Sequence, residues 1–162
     1  MEKIAMNKDM KLSEHFSLGE LTKTSYKTED QNIPSRVAIK NLKNLCENWL
    51  EDLRYSYNTF YPRDCPQEEV PLVINSGYRS PEVNKRAGGS STSNHLTGCA
   101  VDIRVAGFEQ AIRYASILLD ISDGTKRDYD ELYIERNSAG RYWIHFAVRP
   151  KDNRRKVGFL QT

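Results

Sequence analysis

"SGYRSPEVNKRAGGSSTSNHLTGCAVDIR", residues 76–104, decides how this chain is read. It combines a turn, a short helix, a loop of small polar residues and a strand, and it sets His95 seven positions before Asp102. Ser80 is placed to cap a helix that has Pro81 at its first position and Gly88 at its end. "GCAVDIRV" then alternates as a strand does, with Ala100, Asp102 and Arg104 on one face and Cys99, Val101 and Ile103 on the other. Asp102 therefore points away from the apolar side of its own strand. The loop that delivers His95, "GGSSTSN", has no apolar residue with which to build a core, so His95 reads poorly as a core histidine.

Downstream, "DELYIE" and "RYWIHFAV" read as two strands joined by a turn containing "NSAG". Alternation sends Leu132 and Ile134 to the apolar side with Ile144, Phe146 and Val148. It leaves Glu131, Tyr133 and Glu135 on the side of Trp143 and His145, while Asp130 and Tyr142 have the opposite parity. Pairing with matched faces brings at least one of the two glutamates near His145. "GFEQAIRYASILLD" is predicted to be a helix showing Phe108, Ala111, Ile112, Ala115 and Leu119 on one face. Upstream, "VPLVINS" reads as a buried strand. Ser35 caps a helix to about Tyr57 whose stripe of Leu42, Leu45, Cys46, Trp49 and Leu53 faces a core, which makes Trp49 a packing residue. "NTFYPRDCPQEEV" is a loop, and "FSLGELTKTS" a short helix or turn. This order predicts an α+β fold, a small and mainly antiparallel sheet packed against helices. A single domain covers 1–162, with about 1–34 as an N-terminal segment and about 150–162 as a C-terminal tail.

A chain of 162 residues can bury one core and hardly two. Its 24 basic and 22 acidic residues are interspersed, so bulk charge gives no drive toward polyanions. "RPKDNRRK" reads as a solvated tail, and no nucleic-acid partner is expected. No apolar stretch approaches the ~20 residues of a bilayer span, and "MEKIAMNKDMKLSEHF" lacks the apolar core of a secretory signal. The expectation is a cytoplasmic protein as synthesised, without stable membrane insertion. Cys46, Cys65 and Cys99 lack metal-type spacing and read as reduced structural thiols. His15 has no partner at motif spacing and reads as a surface residue.

Two histidines and an aspartate with an open fourth position are the ligand set of a catalytic zinc, and His95, Asp102 and His145 offer that set on one side of the sheet. Cys99 faces the other way and is left out. The ordered motifs S-G-Y-R-S, S-x-H-x-x-G-x-A-x-D and W-x-H resemble those of the zinc D-Ala-D-Ala carboxypeptidases of metallopeptidase family fifteen, subfamily A, which share a fold with D-Ala-D-Ala dipeptidases and the hedgehog signalling domain. The likeness runs from "FSLGEL" to "WIHF".

This resemblance implies a hedgehog/DD-peptidase-like zinc fold, with Zn2+ held by His95, Asp102 and His145. It implies a peptidoglycan peptide as substrate, with Arg79 gripping a carboxylate or developing oxyanion and Ser93, Tyr133 and Trp143 as further contacts. Many relatives have an acidic residue three positions before the last histidine, where this chain has Tyr142. Relatives with a "WIHF"-like ending carry a glutamate at the end of the preceding strand, and Glu135 matches it. Glu135 is thus preferred to Glu131 as general base.

Two functions stay open. One is a monomeric zinc peptidase acting on peptidoglycan as a carboxypeptidase or as an endopeptidase, released to the wall in the manner of a phage lysin. The other is a catalytically weak or inactive zinc-stabilised wall-binding or phage structural domain, which the Tyr142 departure favours and the retention of Arg79 with all three ligands disfavours.

Overall fold

The computed structural model describes residues 6–61 and 69–162. Cys65 and most of the loop expected over residues 58–70 lie outside that range, as does the start of the N-terminal stretch. A small hairpin, β1 (Lys11–Ser13) with β2 (Phe16–Ser17), leads into α1 (Leu18–Leu21). Ser17 and Glu20 close a reciprocal capping box at its start, which satisfies backbone donors that a one-turn helix cannot. Ser35 then caps α2 (Arg36–Leu45), its hydroxyl accepting from the Ala38 amide at 3.1 Å. A single π turn, Cys46–Leu50, joins α2 to α3 (Glu51–Phe60), so the helical run passes the expected end at Tyr57. The wider turn buries Cys46, Trp49 and Leu50 together in the middle of the stripe.

The sheet is built from β3 (Ile74–Ser76), β4 (Ala100–Arg104), β5 (Glu131–Arg136), β6 (Tyr142–Ala147) and β7 (Lys156–Gln161), in the order β3-β4-β6-β5-β7. Between these strands lie α4 (Pro81–Arg86) and α5 (Phe108–Thr125). Register follows parity: Asp102 lies opposite His145, which lies opposite Tyr133, and the next row on that face is Arg104, Trp143 and Glu135. The other face carries Val101, Ile103, Ile144, Phe146 and Leu132, all buried against the helices, with the Trp49 ring centred 5.0 Å from that of Phe146. The fold is therefore α+β, with a mixed sheet covered by helices on one face and open on the other.

The sheet is mainly antiparallel, as expected, with one parallel pair at its edge, β7 beside β5. Two expectations need correction. First, β7 occupies what reads as a C-terminal tail, and the basic segment before it is anchored. Arg154 donates to Asp130 at 2.7 Å and Arg155 to Asp128 at 2.9 Å, while positive φ at Asp152 and Arg155 turns the chain back toward the sheet. Second, α5 is rotated from its predicted face. It buries Ala111, Tyr114, Ile117 and Leu118, because the Tyr114 ring packs edge-on against Tyr57 at 4.8 Å. Phe108 and Ile112 are 45% and 48% exposed, with Phe108 against Tyr142 instead. His15 is exposed, as expected of a surface residue, and it has a distant partner: Glu51 accepts from its ring at 2.6 Å and from Ser13 at 2.6 Å, fastening the hairpin to α3. Cys46 and Cys99 are buried and free, and burial pushes both thiols up, as structural thiols require.

A 3₁₀ turn, Asn94–Thr97, ends at Gly98, whose φ of 72° is left-handed and whose Cα abuts the Ala38 carbonyl of α2. Gly88 has a similar φ of 75° but faces open space. Gly88→Ala should lower the unfolding free energy by about 1–2 kcal/mol for the backbone alone. Gly98→Ala should exceed that loss, because its Cβ meets backbone that cannot move aside. Urea unfolding of both variants checks the order, and equal losses would contradict it.

Candidate functional site

Asp102 is the centre of the open face. Its Oδ1 lies 3.1 Å from His145 Nδ1 and 3.4 Å from His95 Nε2, and its Oδ2 accepts from Arg79 Nη2 at 3.0 Å. Register places Asp102 beside His145, whereas His95 arrives from the 3₁₀ turn, with Ser93 Oγ accepting from the His95 amide at 3.1 Å. Each ring is fixed at its far nitrogen. His95 Nδ1 meets the Gly77 carbonyl at 2.7 Å, and His145 Nε2 meets Glu131 Oε1 at 3.0 Å. A carbonyl can only accept, so His95 carries its proton on Nδ1 and turns the lone pair of Nε2 toward Asp102. Gly77 presents that carbonyl because it lies against the Leu21 carbonyl, in space that a Cβ would fill. The adjacent amides of Tyr78 and Arg79 bond to Leu21 at 2.8 Å and His95 at 2.9 Å, lacing the turn to the histidine.

Three electron-pair donors thus converge on one point, an arrangement stable only with a cation or a proton among them. Burial opposes protonation of His145, but its bonds to Asp102 and Glu131 outweigh this and raise its pKa to about 9. Burial also raises the pKa of Asp102, and the two histidines beside it reverse that and hold its carboxyl well below the usual range. A metal ion answers the same demand. The ligand atoms of His95, Asp102 and His145 lie within 4.8 Å of one another, a group able to hold one. Tetrahedral bonds of ~2.0–2.2 Å keep donor atoms roughly 3.4 Å apart, close to the spacings here, and the fixed far nitrogens are what metal-binding imidazoles require.

The remaining predicted residues surround this group in a cleft of about 600 Å³. Tyr133 stacks on the His145 ring at 5.7 Å and 17°. Glu135 accepts from the Trp143 indole at 2.6 Å, and burial, followed by the charge of Asp102, raises its pKa. Glu131 behaves oppositely: burial raises it, but bonds from His145 and Asn94 prevail and lower it. Arg79 donates through Nε to Ser76 at 2.9 Å as well as to Asp102, so it is half committed to the framework. Ser93 borders the cleft while it caps the turn. Sequence reasoning missed Asn94, Asp130, Arg149 and Arg154. Asn94 donates to Glu131 at 2.7 Å and to Asp130 at 2.8 Å, and it accepts from Arg149 at 3.0 Å. Alternation gives Asp130 the parity opposite to Glu131, but Asp130 precedes β5, where that rule no longer governs, and only the fold reveals this support behind Glu131.

The family model described as Peptidase M15 matches residues 14–124. The chain belongs to the peptidase M15 family. It is accordingly placed among metallopeptidases, as a hydrolase with a peptide substrate and a His-Asp-His group able to bind metal. The matched M15 span includes Arg79, His95 and Asp102 and stops before Glu131, Glu135 and His145, which the sheet register brings to the same cleft. A comparison with curated proteins returned no match.

Two outcomes are expected here. Glu131→Gln weakens the acceptor that orients His145, and metal affinity should fall about 10–100-fold in competition with a chromophoric chelator. Unchanged affinity would remove its orienting role. Asp130, fully buried, is held at a pKa of about 2: burial raises it, and the hydrogen bonds from Arg154 and Asn94 prevail. Its contribution to stability is full above the unfolded carboxyl pKa of about 4 and is lost as pH falls through the folded value. Asp130→Ala should cost about 2–3 kcal/mol at pH 7, below the range for fully buried pairs because both arginines are partly exposed. Denaturant titrations should show the gap narrowing from pH 4 toward pH 2.

Proposed function

We propose that the chain is a zinc peptidase cleaving within the peptide part of peptidoglycan. The observation that carries this reading is the convergence of His95 Nε2, Asp102 Oδ1 and His145 Nδ1 on the floor of an open cleft. These three residues would hold the ion, which when bound supplies Lewis acidity. The Gly77 carbonyl and Glu131 keep the two imidazoles oriented. Glu135 takes up the proton released by attacking water, and its raised pKa supports that task near neutral pH. The Trp143 indole steadies its other orientation by donating to Oε2. Arg79 faces the cleft with permanent charge and positions the substrate.

The cleft is open lengthwise. The space beside Arg79 shares Trp143 with cavities on either side, which supports cleavage inside a peptide over removal of its last residue. A non-catalytic, zinc-stabilised wall-binding domain draws its support from Tyr142. That ring lies on the helix side of the sheet against Phe108, where a carboxylate would face away from the cleft, and Glu135 supplies one from the open side. Among the described residues no helix is long and apolar enough to cross a membrane. Release to the wall in the manner of a phage lysin is part of the proposal.

Incubation with defined muropeptides, read by mass spectrometry, tests the proposal. Internal cleavage should appear with the zinc-loaded protein, stop with chelator and return with zinc. Glu135→Gln at equal zinc content should turn over about 10²–10⁴-fold more slowly. Full hydrolysis by metal-free protein, or no product from any muropeptide, would overturn the reading.

A further inference from the structure

The open face of the sheet continues past the histidines. Arg104 lies two residues beyond Asp102 on β4, in register with Trp143, and Arg141 lies four residues before His145. Both border a cavity of about 700 Å³ on the far side of Trp143, together with Asn75, Asn137 and Tyr142. Among the described residues no aspartate or glutamate lines this cavity. Among the described residues neither Arg104 nor Arg141 forms an ion pair, whereas Arg79, Arg149 and Arg154 in the cleft are each bound to Asp102 or Asp130.

Both arginines are exposed yet positioned. Arg104 Nε donates to Asn75 Oδ1 at 3.3 Å, which fixes the guanidinium at the rim. The Arg141 backbone is clamped by Asn137, donating to its side chain at 2.9 Å and accepting from its amide at 3.0 Å. Two uncompensated guanidiniums on one walled cavity focus positive potential there, and their fork geometry suits a carboxylate. The cavity shares Trp143 with the cleft, so an extended occupant of the cleft can reach into it.

Strand rise sets the distance. At ~3.3 Å per residue, Arg104 and Arg141 are about 7 and 13 Å along the sheet from the metal centre. An extended peptide advances by a similar amount, so its second to fourth residue from the scissile bond reaches them. We infer that this cavity is a carboxylate-binding subsite that selects peptides with an acidic group two to four residues from the bond cleaved. The inference deepens the proposed peptidase reading and rests on it. The same anion chemistry occurs in phosphate-bearing wall polymer, but the continuity with the cleft favours the peptide.

The test uses binding rather than turnover. Zinc-loaded Glu135→Gln protein is titrated calorimetrically with peptides bearing one carboxylate at the second, third or fourth position, each beside its carboxamide twin. At one position the carboxylate form should bind about three- to tenfold more tightly at low salt, and the preference should shrink in 0.5 M salt, where the Debye length is roughly threefold shorter than at 0.05 M. Adding Arg104→Gln and Arg141→Gln should bring the twins within twofold, and Arg104→Lys with Arg141→Lys should retain part of the preference. Equal binding of all twins, or a preference that survives the double glutamine change, overturns the subsite. Arginine-dependent binding of poly(glycerol phosphate) with indistinguishable twins would also overturn it, reassigning the cavity to polymer. A muropeptide assay without product would sink the peptidase reading while leaving a measured preference standing, and equal twins would sink the subsite while leaving hydrolysis standing.

Discussion

The cleft depends on one nearly buried carboxylate. Asp102 is only 8% exposed, and an isolated charge so placed would be unfavourable. Arg79 neutralises one oxygen and the two imidazoles face the other, so position and charge are balanced by the same three neighbours. Each neighbour is in turn held from behind. Gly77 holds His95, Glu131 holds His145, and Ser76 holds Arg79. A strand, a 3₁₀ turn and the turn after β3 are thereby tied to one carboxylate, which gives a rigid site without a rigid loop.

Two glutamates four residues apart on β5 differ through environment alone. Both project to the open side, and sequence parity admits either as a base. Glu131 receives hydrogen bonds from His145 and Asn94, which favour its charge and occupy its lone pairs. Glu135 is partly buried beside the negative Asp102, and burial and that neighbour both disfavour its charge. Opposite shifts thus arise in two carboxyls of one strand, the contrast on which the proposed assignment of Glu135 as base rests.

The sheet core and the open-face set could be read in advance because strand alternation has a period of two and fixes faces without tertiary knowledge. The α2–α3 stripe was readable for the same reason at helical period. What escaped reading is set by long-range contacts. The face of α5 is chosen by Tyr57, which lies far off in sequence, and the partner of His15 is Glu51. The segment "KVGFLQ" has a glycine within a weak alternation, and becomes a strand because Arg154 and Arg155 are drawn to Asp130 and Asp128. Asn94 is similarly silent, since its side-chain partners Asp130, Glu131 and Arg149 lie 36, 37 and 55 residues away.

The helix-covered face and the open face of the sheet draw on alternate residues of the same strands. Ile103, Ile144 and Ile134 hold the molecule together, while Arg104, Trp143 and Glu135 next to them face outward in the adjoining row. Mutational drift at the outward positions can therefore retarget the molecule without repacking its interior. This separation offers a simple library for altered specificity: vary every second residue of β4, β5 and β6 away from the metal row, and leave the residues between them fixed.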